Sequence, residues 1–248
     1  MLVALLVSCA GCRLDISAEV RMGNNGSGTV TVVVAADAEL LAKAPGAFAD
    51  LRLDDVRTAG WTVTGPRQST AGGQELTLVK AFRTPVEGDA VLAELNGPAG
   101  PLHEVHLSLQ RTFATTTAAL AGRAQLDGGP AAFGDEGLVG LLGGKQPFAD
   151  RLDRPLEDAL HLTVTAELPG FVSASDGTIS ADRRTITFEP VLAEGVATSL
   201  TGTWVTRDQG ALDARHTQRI AHLALVVYVV MLVAAVLGGL WWWRRRHR

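Results

Sequence analysis

Residues 14–36 read LDISAEVRMGNNGSGTVTVVVAA. Leu14, Ile16, Ala18, Val20 and Met22 alternate with Asp15, Ser17, Glu19 and Arg21, the period of two expected of a strand with one wet face. The six residues Gly23-Asn24-Asn25-Gly26-Ser27-Gly28 are turn chemistry, and the β-branched, apolar run over 29–36 predicts a returning strand. This pair is a hairpin, and it sets the sheet on which the rest must pack. Residues 23–28 also carry a Gly-x-x-Gly-x-Gly spacing. A phosphate-binding loop needs a helix after it to aim backbone N–H groups at the ligand, and here a strand follows.

Working outward, Asp37 predicts the N-cap of a short helix through Leu40 and Leu41, ended near Pro45. Residues 47–59 hold a second helix or two turns, closed by Gly60. Strands are predicted over 61–64 and 75–82, with a short helix over 85–95. A strand pair follows at 105–113 and 115–126. A glycine-interrupted, weak helix spans 133–142, and the last third is strand-like at 160–168, 171–175, 185–188 and 196–205. Glu167-Leu168-Pro169-Gly170-Phe171 is read as a turn between two of these strands. The expected class is α+β, an antiparallel sheet with a few packed helices.

Beyond this domain, residues 223–243 read LALVVYVVMLVAAVLGGLWWW, 21 residues without a charge. At ~1.5 Å per residue such a run makes a helix of about 31 Å, close to the roughly 30 Å of a bilayer's hydrocarbon core. Arg244, Arg245, Arg246 and Arg248 follow directly, with Trp241, Trp242 and Trp243 at the boundary. Basic flanks stay on the cytoplasmic side and aromatic rings favour the headgroup layer. The expectation is one C-terminal transmembrane helix with its C-terminus inside and the main domain outside the cell.

At the other end, an apolar stretch over residues 1–7 leads into Ser8-Cys9-Ala10-Gly11-Cys12. Small residues before a cysteine look like a bacterial lipobox, where the signal is cut and the cysteine is lipidated. Two registers are open: Leu6-Val7-Ser8 before Cys9, and Ala10-Gly11 before Cys12. A signal needs a basic region before its apolar stretch, whereas the first positive charge is Arg13; the expected start therefore lies upstream. The two cysteines, three apart, make no disulfide framework.

Charge excludes one class of partner. The chain has 22 Lys+Arg against 26 Asp+Glu; without the four tail arginines this is 18 against 26, a net of −8. An acidic domain does not read phosphate backbones, so nucleic acid is not expected as a partner. Scarce lysine with abundant Ala and Gly suggests a GC-rich, actinobacterial source.

The candidate chemistry is thin. His103-Glu104-Val105-His106 offers two imidazoles and a carboxylate. On a strand, residues three apart face opposite sides, and no third ligand suggests itself, so no metal site is expected. There is no Gly-x-Ser-x-Gly elbow and no Ser-x-x-Lys. The adjacent pairs Asp54-Asp55 and Asp135-Glu136 diverge on any regular element. No enzyme and no cofactor are expected. Trp61 and Trp204, the two tryptophans of the domain, are expected either in the core or lining a ligand cavity.

Gly11-Cys12-Arg13-Leu14-Asp15-Ile16, Gly26-Ser27-Gly28 before a β-branched strand, Ala59-Gly60-Trp61, Lys80-Ala81-Phe82, Leu168-Pro169-Gly170 with Asp176-Gly177, and a closing apolar run with a basic end together resemble the actinobacterial LppM-type lipoproteins. The resemblance implies lipidation at Cys12 rather than Cys9, and a surface-exposed domain anchored at both ends. It also implies a helix-grip-like, lipid-accommodating fold and little transferable chemistry. The section from about Pro98 to Pro155 is longer than the family's.

The resulting organisation is a truncated lipoprotein signal over 1–12, an extracytoplasmic domain over 13–207 and a juxtamembrane linker over 208–220. A membrane helix over 221–243 and a basic cytoplasmic tail over 244–248 complete it. The expected function is that of a non-enzymatic cell-envelope lipoprotein at the outer face of the membrane. Its expected partner is a lipid or other hydrophobic ligand; the alternative is a scaffold docking another envelope protein.

Overall fold

β1 (Leu14–Met22) and β2 (Gly28–Ala36) form the expected hairpin, in register from Leu14 opposite Ala36 to Met22 opposite Gly28. In the turn the Gly23 N–H donates to Ser27 O at 2.8 Å, and Asn25 Oδ1 accepts from both the backbone N–H and the hydroxyl of Ser27. The fold is that of a computed structural model describing residues 13–43, 48, 53–69, 72–96, 100–126, 159–193 and 195–208. Cys9, Cys12, the predicted helix at 133–142 and the expected membrane helix at 221–243 lie outside these. Among the described residues no helix is long and apolar enough to cross a membrane.

The hairpin grows on both sides. β4 (Gln74–Phe82) pairs antiparallel with β2, and β3 (Thr62–Gln68) with β4. On the other side β7 (Leu160–Glu167) lies parallel to β1, from Leu14 beside Leu160 to Arg21 beside Glu167. β10 (Thr185–Phe188) and the two-residue β9 (Thr178–Ile179) complete seven strands in the order β3-β4-β2-β1-β7-β10-β9. A second sheet runs β11 (Ala197–Ser199), β6 (Thr115–Gln125), β12 (Gly202–Arg207), β8 (Phe171–Ser175), with β5 (Leu102–Arg111) also paired to β6.

The expected α+β class does not hold. Twelve strands in two sheets stand against three helices among the described residues, and the larger sheet contains a parallel pair. A helix-grip fold wraps one sheet around a long helix. Here α1 (Ala38–Lys43) and α2 (Leu53–Thr58) are six residues each, under two turns. Side chains of both sheets fill one continuous core: Ala18, Val20, Leu162 and Ile186 from the first sheet, Leu120 and Trp204 from the second. Short-range patterning had marked each strand's buried face, but that face finds a second sheet as its cover rather than a layer of helices.

The helices obey their local signals. Asp37 caps α1, its Oδ1 accepting the Leu40 N–H at 2.7 Å. α3 (Pro85–Asn96) is capped by Thr84, whose Oγ1 accepts the Glu87 N–H, while Glu87 Oε2 accepts the N–H of Arg83, just before the cap, at 2.8 Å. Pro85 occupies the first helical position, where a missing N–H costs nothing. Val91 and Leu92 of α3 enter the core.

The chain divides into two compact units, Met1–Gln110 with Thr116–Thr206, and Arg111–Thr115 with Arg207–Arg248. In the second, the Thr112 N–H donates to Thr115 O and the Asp208 N–H to Ala114 O, both at 2.8 Å. The clefts described next belong to the first.

Candidate functional site

Because β7 runs parallel to β1, the ends of the two strands meet. The hairpin turn at 23–28 and the Leu168-Pro169-Gly170 turn therefore lie together at one end of the larger sheet. Between them is a cleft of about 590 Å³, lined among others by Arg21, Glu167, Pro169, Phe171, Arg184 and Thr206. Arg21 is held between two carboxylates, 2.8 Å from Glu19 and 3.6 Å from Glu167. Phe171 is 56% exposed, with the Arg184 guanidinium 5.5 Å from its ring centroid, a cation–π arrangement.

Both members of that pair are set by neighbours. Leu168 is buried, and Gly170 (φ +114°) approaches the Val205 backbone closely, so the turn cannot swing. Arg184 follows a turn closed by Asp182, whose Oδ1 accepts from Ser180 Oγ at 2.5 Å and from the Arg184 N–H at 3.2 Å. The Ser180 hydroxyl first, and the Arg184 N–H second, hold the Asp182 carboxyl below the ordinary aspartate value of 3.8. A depressed folded-state pKa stabilises above the unfolded value and is lost as pH falls through the folded one. The Arg184 amide resonance is therefore expected to shift in an NMR titration at a pH below that of an unfolded aspartate, and an Asp182→Asn variant to show no such step.

A second cleft of about 440 Å³ lies between α3 and β5, with Asp89, Leu92, His103, Glu104 and His106 in its lining. The strand geometry expected from sequence put His103 and His106 on opposite faces. Glu104 has φ +53°, and residues 102–106 of β5 all border this cleft. Their bonds are structural in kind. Asp89 Oδ1 accepts the Leu107 N–H at 2.6 Å and Oδ2 the His106 Nδ1–H at 3.1 Å, tying helix to strand. The His103 Nε2–H donates to Gln125 O at 3.1 Å. Among the described residues no three His, Cys, Asp or Glu side chains are placed to hold a metal ion.

Trp61 and Trp204 line neither cleft. Trp204 is fully buried, its indole N–H donating to Arg184 O at 2.7 Å. Trp61 is 5% exposed, its N–H donating to Glu94 Oε2 at 3.2 Å, with Lys80 Nζ 2.5 Å from the same oxygen and 5.8 Å from the ring. Glu94 thus serves two donors from different elements. Glu94→Ala is expected to cost about 1–2 kcal/mol, read as a lower midpoint in urea at unchanged slope. Lipidation at Cys12, or at Cys9, falls on residues outside the description.

The sequence singled out both turns of the first cleft, but as turns. What it did not show is that a parallel pairing 146 positions apart, Leu14 beside Leu160, places them side by side and adds Arg184 and Thr206. No local signal carries such a pairing. Asp89 was likewise unmarked, being one acid on a mixed helix.

No family model and no curated protein matches the chain. The NMR structure of the folded domain of Mycobacterium tuberculosis LppM is similar, at 16% identity over 81% of this chain and 94% of that one, with a TM-score of 0.44.

Proposed function

We propose that this chain is a non-enzymatic lipoprotein of the cell envelope, lipidated at Cys12, whose β domain is held at the outer face of the membrane and takes a lipid or another hydrophobic ligand. The observation that carries the location is in the sequence: an uncharged 21-residue run with a basic end follows the domain, and a lipobox-like segment precedes it. For the ligand, the support is the first cleft, which combines an exposed aromatic ring with two arginines. The core itself is filled, Trp204, Leu120, Ile186 and Leu200 all lying at 1% exposure or less. A ligand is therefore taken at the surface, in a cleft rather than in an enclosed cavity.

The alternative is a scaffold that docks another envelope protein. It is favoured by Val86, Val191 and Val196, at 76%, 57% and 42% exposure, none of which lines the first cleft. The two readings separate on purification of the full chain in mild detergent. Mass spectrometry of the organic extract is expected to show a lipid retained at constant stoichiometry through gel filtration, and lost with Phe171→Ser. A second protein at constant stoichiometry with no retained lipid would support the scaffold instead.

A further inference from the structure

The geometry points to a seating face: the end of the domain that carries the first cleft rests on a phospholipid surface, with Phe171 entering the headgroup layer and Arg21 and Arg184 beside it. This rests on the membrane-held reading above and adds to it an orientation and a contact.

Three observations converge. Phe171 is a large apolar side chain more than half exposed, the first residue of β8 and directly after Gly170, which is fixed against Val205. Its exposure is therefore built in, and no ordering remains to be done on contact. Arg184 over its ring makes an amphipathic pair, apolar on one side and able to donate to phosphate on the other, the composition suited to the membrane–water boundary. Finally, the chain leaves this unit at Thr206, which lines the same cleft. Arg207 still belongs to β12 and the Asp208 N–H is bonded to Ala114 O, and the uncharged run begins at residue 223, leaving fourteen residues, 209–222, between them.

That short connection decides whether so small a contact can matter. Even fully extended, a connection of that length spans at most ~50 Å, which keeps the domain at a high local concentration at the membrane surface. A contact too weak to hold a free domain is then largely occupied. Charge is not the driving term. The domain is acidic, and Arg21 already faces Glu19 and Glu167, so seating is expected on zwitterionic lipid as well as on anionic lipid and to respond weakly to salt. β1 is about 26 Å long at ~3.3 Å per residue, and Cys12 precedes its far end. Acylation there lays the strand along the membrane plane.

The test uses the full chain with Cys9 and Cys12 replaced by serine, so that no second anchor acts, inserted in phosphatidylcholine nanodiscs carrying a gadolinium-chelating lipid. Amide signals of residues 23–26, Leu168, Gly170 and Phe171 are expected to be lost, while those at the opposite end of β1, Leu14 and Ala36, persist. Phe171→Ser with Arg184→Glu, both at exposed positions, is expected to restore the lost signals with the rest of the spectrum unchanged. Uniform broadening, or loss first at Leu14 and Ala36, overturns the seating and leaves the membrane-held reading standing. Failure of the chain to enter the nanodisc overturns that reading itself, and the seating with it.

Discussion

Trp204→Ala is expected to leave the domain largely unfolded at the temperature where the unaltered protein is stable. Trp204 is at 0% exposure, and removing a buried indole costs about 3–5 kcal/mol through lost burial and the cavity left behind. Its N–H is also the partner of Arg184 O across 2.7 Å, and losing that part-buried hydrogen bond adds about 0.5–1.5 kcal/mol. The sum approaches the roughly 5–15 kcal/mol of a whole domain. Collapse into the space is limited, because Trp204 belongs to β12 in one sheet while Arg184 directly precedes β10 in the other. Trp204→Phe keeps most of the burial and loses the hydrogen bond, so its loss should be clearly smaller. Thermal unfolding followed by circular dichroism ranks the three. Equal losses for Ala and Phe would mean that the hydrogen bond, not the packing, is what the indole supplies.

The second large effect is expected at Gly170. Its φ of +114° is a conformation that L side chains rarely adopt, and a Cβ there would stand 2.6 Å from the Val205 carbonyl carbon and 2.7 Å from its oxygen. Both are backbone atoms and cannot rotate away. Gly170→Ala is expected to cost about 3 kcal/mol, the upper part of the range for strained backbone, and to detach the turn that fixes Phe171. Gly195 supplies the control: its φ is +75°, yet among the described residues a Cβ would meet nothing within 4 Å. Gly195→Ala then carries the conformational term alone, roughly 1–2 kcal/mol. The difference between the two variants, from denaturant midpoints, measures the close approach itself. Near-equal values would show that the turn yields.

The hairpin over 14–36 was legible in full because everything that sets it is local: the alternation, the glycine-rich turn and the β-branched return. The Asp37 cap and the helix from Pro85 were legible for the same reason. Which strands become neighbours was not. A period of two tells which face of β7 is buried, and Leu160, Leu162, Val164 and Ala166 are indeed buried, but the same pattern suits β4 or β10 as a partner of β1. Hence the class was misjudged. Each strand's buried face was taken to need helices, whereas a second sheet supplied the cover. The first cleft is the product of those pairings, so its two turns were visible and their meeting was not.

The proposed function turns on placement: a β domain outside the cell, held to the membrane by what flanks it. The direct measurement is protease protection on intact spheroplasts of a full-length chain with one epitope inserted in the domain and a second after Arg248. The account predicts loss of the first epitope, and survival of the second on a small fragment that stays in the membrane pellet after alkaline carbonate. A chain found whole in the carbonate supernatant, or a second epitope digested while the first survives, would contradict it.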